Sequence, residues 1–478
     1  MTRINTNIPA MTAARYLEIN TTALSRSLQR LTTGQRINRG ADDPSGLIVS
    51  ELLRADMGSL AQAIDNSQRA INIVATAEGA LNEVSVMLAS IRELVVEAAS
   101  SGGLSEDEIA ANQLQVDSAI ASIDRISNTT TFGGLNLLNG ALNFVTSSVD
   151  ATSISALDIY QANIPVGQST MPVTINVTNS AEVGAGWFSS AGEFSDYAKT
   201  IRVTGNRGTE VLSFAAGTTL TSVASAINTV SDNTGVSATV VSTDIRFDST
   251  EYGSDQFVSI EDIDGATGTV QMLDALAGSA ITRDYGVDVA ATINGVAAAG
   301  DGLTVSVATS TLDLEAALSV TAATTLTATG FTISGGGAVF QLGPDSGTVQ
   351  QARLGIPRTS SSDLGNGTEG YLNQIRTGES YDLYTDPTQA MRIIDEAINS
   401  VSRLRGRLGA FERNVLQVNI NSLGVTLENV TASESVIRNT DFARETVELS
   451  RTQILVSAGT SVLATANATP QNVLALLS

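Results

Sequence analysis

Adjacent carboxylates at Asp42 and Asp43 are of the type that performs general acid–base work. Pro44 follows at once, and an aspartate ahead of a proline marks a helix start. The carboxylate accepts from first-turn amides, and the proline takes a position whose N–H has no partner. Capping is the reading adopted. Glu261, Asp262 and Asp264 stand before Gly265 in the manner of a calcium loop, but the closing carboxylate of such a loop is missing. Gly335, Gly336 and Gly337 lead into AVFQL rather than a helix, and no lysine follows, which fits a turn or bulge and not a phosphate cradle. Asn-x-Thr sequons at 128–130 and 176–178 are weak signals in a Thr-rich chain. No histidine is present, which removes the commonest general base and metal ligand. No cysteine is present either, so thiol chemistry and disulfides are excluded. No constellation for nucleophilic or metal catalysis remains, and the expectation is a non-enzyme without metal or cofactor.

The elements behind these residues carry more information. The chain has 478 residues, enough for about three domains, and a formal charge of -23. So acidic a chain repels nucleic acid and anionic membrane surfaces. The charge is uneven: residues 140–370 carry 23 acidic and 7 basic side chains (net -16), and residues 1–41 carry 6 Arg and 1 Glu (net +5). The amino terminus lacks the apolar run and cleavage site of a secretory signal.

After Arg451 the last 27 residues, Thr452 to Ser478, contain no charge. Phe442, Leu449, Val456 and Leu463 lie seven apart, Pro470 takes the next place and Leu477 follows, the seam of a helix that a neighbouring helix covers. Of these 27 residues, 11 are Ser, Thr, Asn or Gln, too many for a bilayer interior. A second stripe near the amino terminus (Ile4, Ile8, Met11, then Leu17, Leu24, Leu28 and Leu31, with one phase shift after Met11) is the natural mate. Inside these ends, Leu53, Met57, Leu60, Ile64, Ile71, Val74, Leu81 and Leu88 predict one long helix after Pro44. Ser105 with Glu108 predicts a capped second helix, and Ile394, Val401, Leu404, Leu408, Phe411, Val415 and Val418 predict a return helix from Asp386-Pro387.

Between them the character changes. Of the 41 glycines, 27 fall within residues 140–370. Short alternating runs at 199–203, 210–214, 237–241 and 244–247 predict β-strands, with a helical interruption near 220–230. Segments 200–260 and 289–342 predict two β-rich subdomains divided near 267–284. The fold expected is α+β multidomain, with long coiled-coil helices from both termini and a central β-rich insertion forming outer domains.

These residues also carry a resemblance. The opening INTNI (Ile4–Ile8) with Leu24, Leu28 and Leu31, RLTTGQRINRGADDPSGL from Arg30, and the REL of Arg92 to Leu94 resemble the amino-terminal region of bacterial flagellin. ASIDRISNTTTFGGLNLLNG from Ala121, RLGAFERN from Arg407, ESVIRNTDFARE from Glu434 and ANATPQNVLALL from Ala466 match in the family's order. The similarity covers about residues 1–140 and 371–478. The central AIN and ATINGV segments are similar to repeats of some flagellins and hook-associated proteins.

The resemblance implies an extracellular structural subunit of the flagellar filament that self-assembles for motility. It implies export unfolded through the flagellar type III apparatus, with an export chaperone for the carboxy-terminal region, and hook-associated and cap proteins as further partners; neither nucleic acid nor membrane is expected. Residues 1–43 with 441–478 are expected to line the filament core, 44–140 with 371–440 to form a coiled-coil shell, and 141–370 to project outwards. Ile4, Ile8, Met11, Leu17, Leu24, Leu28, Leu31, Phe442, Leu449, Val456, Leu463 and Leu477 are the expected subunit-interface residues. Arg92 and Leu94 fall where innate immune receptors recognise flagellins, but Ala89, Ser90 and Ile91 and the neutral Gln115 depart from the family there. Asn439 replaces a more usual acid before Asp441-Phe442-Ala443. The alternatives within reach are a hook–filament junction protein and a surface adhesin on the same scaffold.

Overall fold

The computed structural model describes the chain apart from residues 1–5, 101–102, 165–167, 189–197, 243, 264–271, 275–278, 310, 346, 348–349 and 478, and only the backbone of 470–477. Two compact units divide it: residues 1–69, 342–346 and 415–478, and residues 70–341 and 347–414.

The first unit holds the two chain ends. Helix α1 (Ile8–Thr33) starts where the Asn7 side chain accepts from the Ala10 amide, and stops at Gly34, whose φ of 72° lets its N–H reach back to Arg30. Helix α2 (Pro44–Ala99) begins as expected, with the Asp43 carboxylate accepting from the Gly46 amide at 2.9 Å. Within this unit α2 runs antiparallel to the helix Val418–Arg438. Leu60, Ala63 and Leu423 form a small core, Asn419 reaches the Ser67 hydroxyl at 3.1 Å, and Glu51 receives Arg438 at 2.6 Å.

The second unit holds the rest of α2, helix α3 (Glu106–Thr129, with the expected Ser105–Glu108 capping box), and the β region, which includes helix α4 (Leu220–Thr229). Helix α5 (Pro387–Phe411) follows, capped by Asp386 as the sequence predicts. Helices α6 (Val418–Arg438) and α7 (Phe442–Leu477) complete the chain in the first unit.

Two of the expected stripes need correction. The fully buried line along α2 is Leu60, Ala63, Ser67, Ala70, Val74, Ala77, Leu81, Val84, Leu88, Ile91 and Val95; Ile64 packs at the edge of the Leu60–Leu423 core and Ile71 is half-buried beside the line. Alanines fill alternate places because a close helix approach wants small side chains, and a search for large apolar residues passes over them. The stripe from α5 does not continue through Val415 and Val418. A π-helical segment, Glu412–Gln417, adds a residue to the turn, so Leu416 is buried and Val418 is exposed.

Four strands begin and end within two residues of the runs read from the sequence, and many further strands accompany them. The larger sheets form two lobes, with two antiparallel sheets around one core in each. In the first lobe a five-stranded sheet and a four-stranded sheet share Phe144, Ile159, Ile175, Val305, Leu314 and Phe331. In the second, two four-stranded sheets and α4 share Ile201, Val223, Ile227, Phe247 and Ile260. The Phe188 and Phe247 rings meet edge-on there at 4.9 Å.

A single boundary near 267–284 does not describe this arrangement. That interval falls partly outside the described residues. Strands 144–179 belong to the same core as 289–333, so the second lobe is inserted into the first and the chain crosses twice. The crossings are bonded to each other: Glu182 and Val287 exchange both backbone hydrogen bonds at 2.9 Å. Sequence alternation shows that a run is a strand but not which later run it pairs with.

Candidate assembly interface

Helices α1 and α7 lie antiparallel in the first unit. The Asn7 amide donates to the Ala466 carbonyl at 2.8 Å, Leu17 packs on Gly459, and the Ser27 hydroxyl and Arg30 guanidinium meet the Glu445 carboxylate. At the closed end the chains form a backbone clip, with the Thr440 N–H donating to Gly34 at 2.9 Å and the Arg36 N–H donating to Arg438 at 2.7 Å. Asn439, a departure with no consequence attached from sequence, bridges to Gln35 through its backbone and donates its side-chain amide to Ser435 at 2.7 Å.

The shared face follows a heptad on both helices. It comprises Ala10, Ala13, Leu17, Asn20, Leu24, Ser27 and Leu31 on α1, and Glu445, Leu449, Thr452, Val456, Gly459, Leu463 and Ala466 on α7, all buried or half-buried. The structure therefore sorts the expected interface residues. Leu17, Leu24, Leu31, Leu449, Val456 and Leu463 lie on this internal seam. Ile8, Met11, Leu28 and Phe442 do not; they are exposed. Ile4 and the Leu477 side chain lie outside the described residues. No phase shift interrupts α1, because Ala10 and Ala13 continue the seam that Ile8 and Met11 had been assigned to. Ala10, Ala13, Asn20, Ser27, Glu445, Thr452, Gly459 and Ala466 were not expected on the seam. Their heptad spacing is the signal that could have found them.

Once the seam is closed, a second apolar set faces solvent: Met11 (66% exposed), Ile8 and Ile19 on α1, and Ile454 (69%), Val447 and Val462 on α7. On each helix these residues lie on the side away from the seam, a run of apolar side chains that the chain's own packing does not cover. Among the described residues no helix is long and apolar enough to cross a membrane.

Electrostatics tighten the α1–α2 connector. Burial acts to raise the Asp42 carboxyl, but the Arg39 and Asn38 amides and the nearby Arg30 and Arg26 outweigh it and hold it below its ordinary range. The Gly46 amide and Ser45 hydroxyl do the same for Asp43, and the Arg438 guanidinium does so for Glu51. Asp42 and Asp43 are thus bound up in turn and cap hydrogen bonds.

The other candidate clusters are also occupied. Glu261 receives Arg202 at 2.7 Å, and Asp262 receives Lys199 at 3.0 Å with both side chains 1% exposed; Asp264 lies outside the described residues. Gly335, Gly336 and Gly337 all have positive φ and turn the chain between strands Ala328–Gly336 and Ala338–Gln341. Arg92 is exposed and donates to Asp395 at 2.6 Å, beside a shallow 400 Å³ depression lined by Ala89, Glu93, Val96 and Ile398; Leu94 is half-buried. Among the described residues no group of three acidic side chains is placed to hold a metal.

Comparison with known proteins gives three family matches: the bacterial flagellin N-terminal helical region over residues 4–143, the bacterial flagellin C-terminal helical region over 391–477, and the flagellin hook IN motif over 200–251. The chain is 32% identical to B-type flagellin of Pseudomonas aeruginosa and 30% identical to flagellin of Salmonella typhimurium, in each case over 99% of both chains. It is 28% identical to polar flagellin C of Vibrio parahaemolyticus, again over 99% of each. Among solved structures, the flagellar junction protein FlgL from Legionella pneumophila matches with a TM-score of 0.29 and 14% identity, over 82% of this chain and 99% of that one, too slight a likeness to bear on role. Paired terminal helices around a β-rich middle, with relatives aligned from end to end, make this chain a member of the bacterial flagellin family.

Proposed function

We propose that the chain is the repeating structural subunit of a flagellar filament, polymerised through its terminal helices. The observation that carries this is the apolar residues on the outward side of α1 (Ile8, Met11 and Ile19) and of α7 (Val447, Ile454 and Val462), left in solvent by the chain's own packing. Burying one leucine-sized side chain contributes roughly 1.5 to 3 kcal/mol, and long helices with little of their own core are marginal in water. The arms are therefore poorly ordered in the free subunit and fold when neighbouring copies cover that face.

In this reading residues 1–43 with 441–478 line the core, 44–140 with 371–440 form the shell, and 141–370 project outwards. The subunit is exported unfolded through the flagellar apparatus with a chaperone on its carboxy-terminal arm, meets hook-associated and cap proteins, and acts outside the cell without catalysis. The absence of charge after Arg451 suits a helix that lies along a neutral channel wall.

The test is deletion of Thr452 to Ser478. The expected product is a monomer whose β lobes remain folded by circular dichroism and which shows no tubular filaments in electron microscopy, while the full chain forms them. A truncated chain that still polymerises overturns the proposal.

A further inference from the structure

Between the backbone clip at Gly34 and Thr440 and the Asn7–Ala466 bond at the other end, the leucine layers of the α1–α7 seam repeat too regularly to set a register of their own. Leu17, Leu24 and Leu31 recur every seven residues on one helix, and Leu449, Val456 and Leu463 on the other. Sliding one helix by a heptad lays these residues over neighbours of the same class and leaves apolar burial nearly unchanged.

Glu445 breaks that degeneracy. Its side chain is 12% exposed, accepts the hydroxyl of Ser27 (2% exposed), and lies 3.6 Å from the Arg30 guanidinium. A slip of one heptad in one direction puts Ala23 and Asn20 where Arg30 and Ser27 stand; in the other direction it puts Ile37 and Gly34 there. None of the four is a cation. A carboxylate shielded from water without its cation is costly, so the charge penalises each wrong register and not the right one.

We infer that Glu445 is the positioning residue within the seam that holds the register of α1 against α7 where the backbone clip leaves off, with Arg30 and Ser27 as its receptors. The inference rests on the assembly reading and deepens it, since the register sets how far along the pair the outward residues of α1 stand from those of α7.

The cysteine-free sequence makes the register directly readable. A Cβ built on Gly459 lies 3.8 Å from the Leu17 Cβ, a separation suited to a disulfide. The native register is reported by Leu17→Cys with Gly459→Cys, and the two slipped registers by Ala10→Cys or Leu24→Cys with Gly459→Cys. Each pair is oxidised in the full-length chain under polymerising conditions, with and without Glu445→Leu.

With Glu445 present, only the 17/459 bridge is expected to form in quantity. With Glu445→Leu, the slipped bridges should rise at least several-fold relative to it. The exchange Arg30→Glu with Glu445→Arg should restore the native pattern, and it decides the matter if the leucine variant folds poorly. Unchanged bridging in Glu445→Leu overturns the inference, as does equal formation of all three bridges with Glu445 in place. Electron microscopy of the same samples separates this from the assembly reading: an unaltered chain without filaments sinks that reading, while the bridge pattern still judges the register.

Discussion

The Arg407 guanidinium lies 3.6 Å from the centroid of the Tyr160 ring, and its two terminal nitrogens each donate at 2.9 Å, one to Asp313 and one to Glu315. One arginine of α5 thereby grips two strands of the first β lobe, Ile154–Ala162 and Leu312–Leu318. It answers a local excess of negative charge, since Glu315 stands directly opposite Asp158 in the strand register. Arg407→Ala is expected to destabilise this unit by about 1 to 3 kcal/mol, a range kept low because the group is half-buried. Arg407→Lys should recover only part, because a point cation can neither fork between two carboxylates nor stack flat on a ring. Calorimetry of both variants checks this.

Acid should loosen the connector before the lobes. Asp42, Asp43 and Glu51 are held below their ordinary ranges. Their contribution is therefore complete above the unfolded values of 3.8 to 4.5 and drains away as pH falls through the lower folded values. Asp158 has the opposite sign. Burial and then Glu315 raise it, so its ionised form costs stability at neutral pH and the cost is relieved on acidification. Hydrogen exchange of the full chain at descending pH should show residues 34–46 losing protection while strand 154–162 keeps its own. Simultaneous loss would show that these carboxylates do not govern the order.

Nested lobes imply separable damage. A Cβ on Gly205 would sit 2.3 Å from the Thr234 carbonyl oxygen in the inserted lobe, and one on Gly300 would sit 1.8 Å from the Val289 carbonyl oxygen in the lobe that hosts it. Both are closer than any backbone tolerates without shifting, at a cost of roughly 1 to 3 kcal/mol. Gly205→Ala should lower the melting of the inserted core around Phe247 and spare the core around Leu314, and Gly300→Ala should do the reverse. Backbone NMR or exchange mapping of each variant tells them apart.

The exposed face and the internal seam should respond differently to charge. Ile454→Asp and Met11→Asp place carboxylates on the outward side, so the α1–α7 pairing should survive and filament formation should be lost. The 17/459 disulfide reports the pairing and microscopy reports the filaments. Loss of the disulfide along with the filaments would mean that these residues support the pair itself.

Much of this molecule is written in local chemistry. Asp43 ahead of Pro44, Ser105 with Glu108, Asp386 ahead of Pro387, and the alternating runs near 200–250 name their own elements, because caps and strand alternation depend on residues a few positions apart. The candidate site was only half legible. Leu17 and Val456 announce a heptad, but Ala10, Ser27, Thr452 and Gly459 share their seam, and small or polar side chains carry no apolar signal. Caps, periodicity and alternation along the chain mark the long helices, four of the strands near 199–249 and the matching stripes at the ends. Packing in three dimensions turns Met11 and Ile454 outwards and Ala10 and Thr452 inwards, lets the π-helical turn at 412–417 move the stripe from Val415 to Leu416, and closes one core from strands 144–179 and 289–333. Each of these depends on how closely two distant segments approach, and spacing along one chain does not encode that distance.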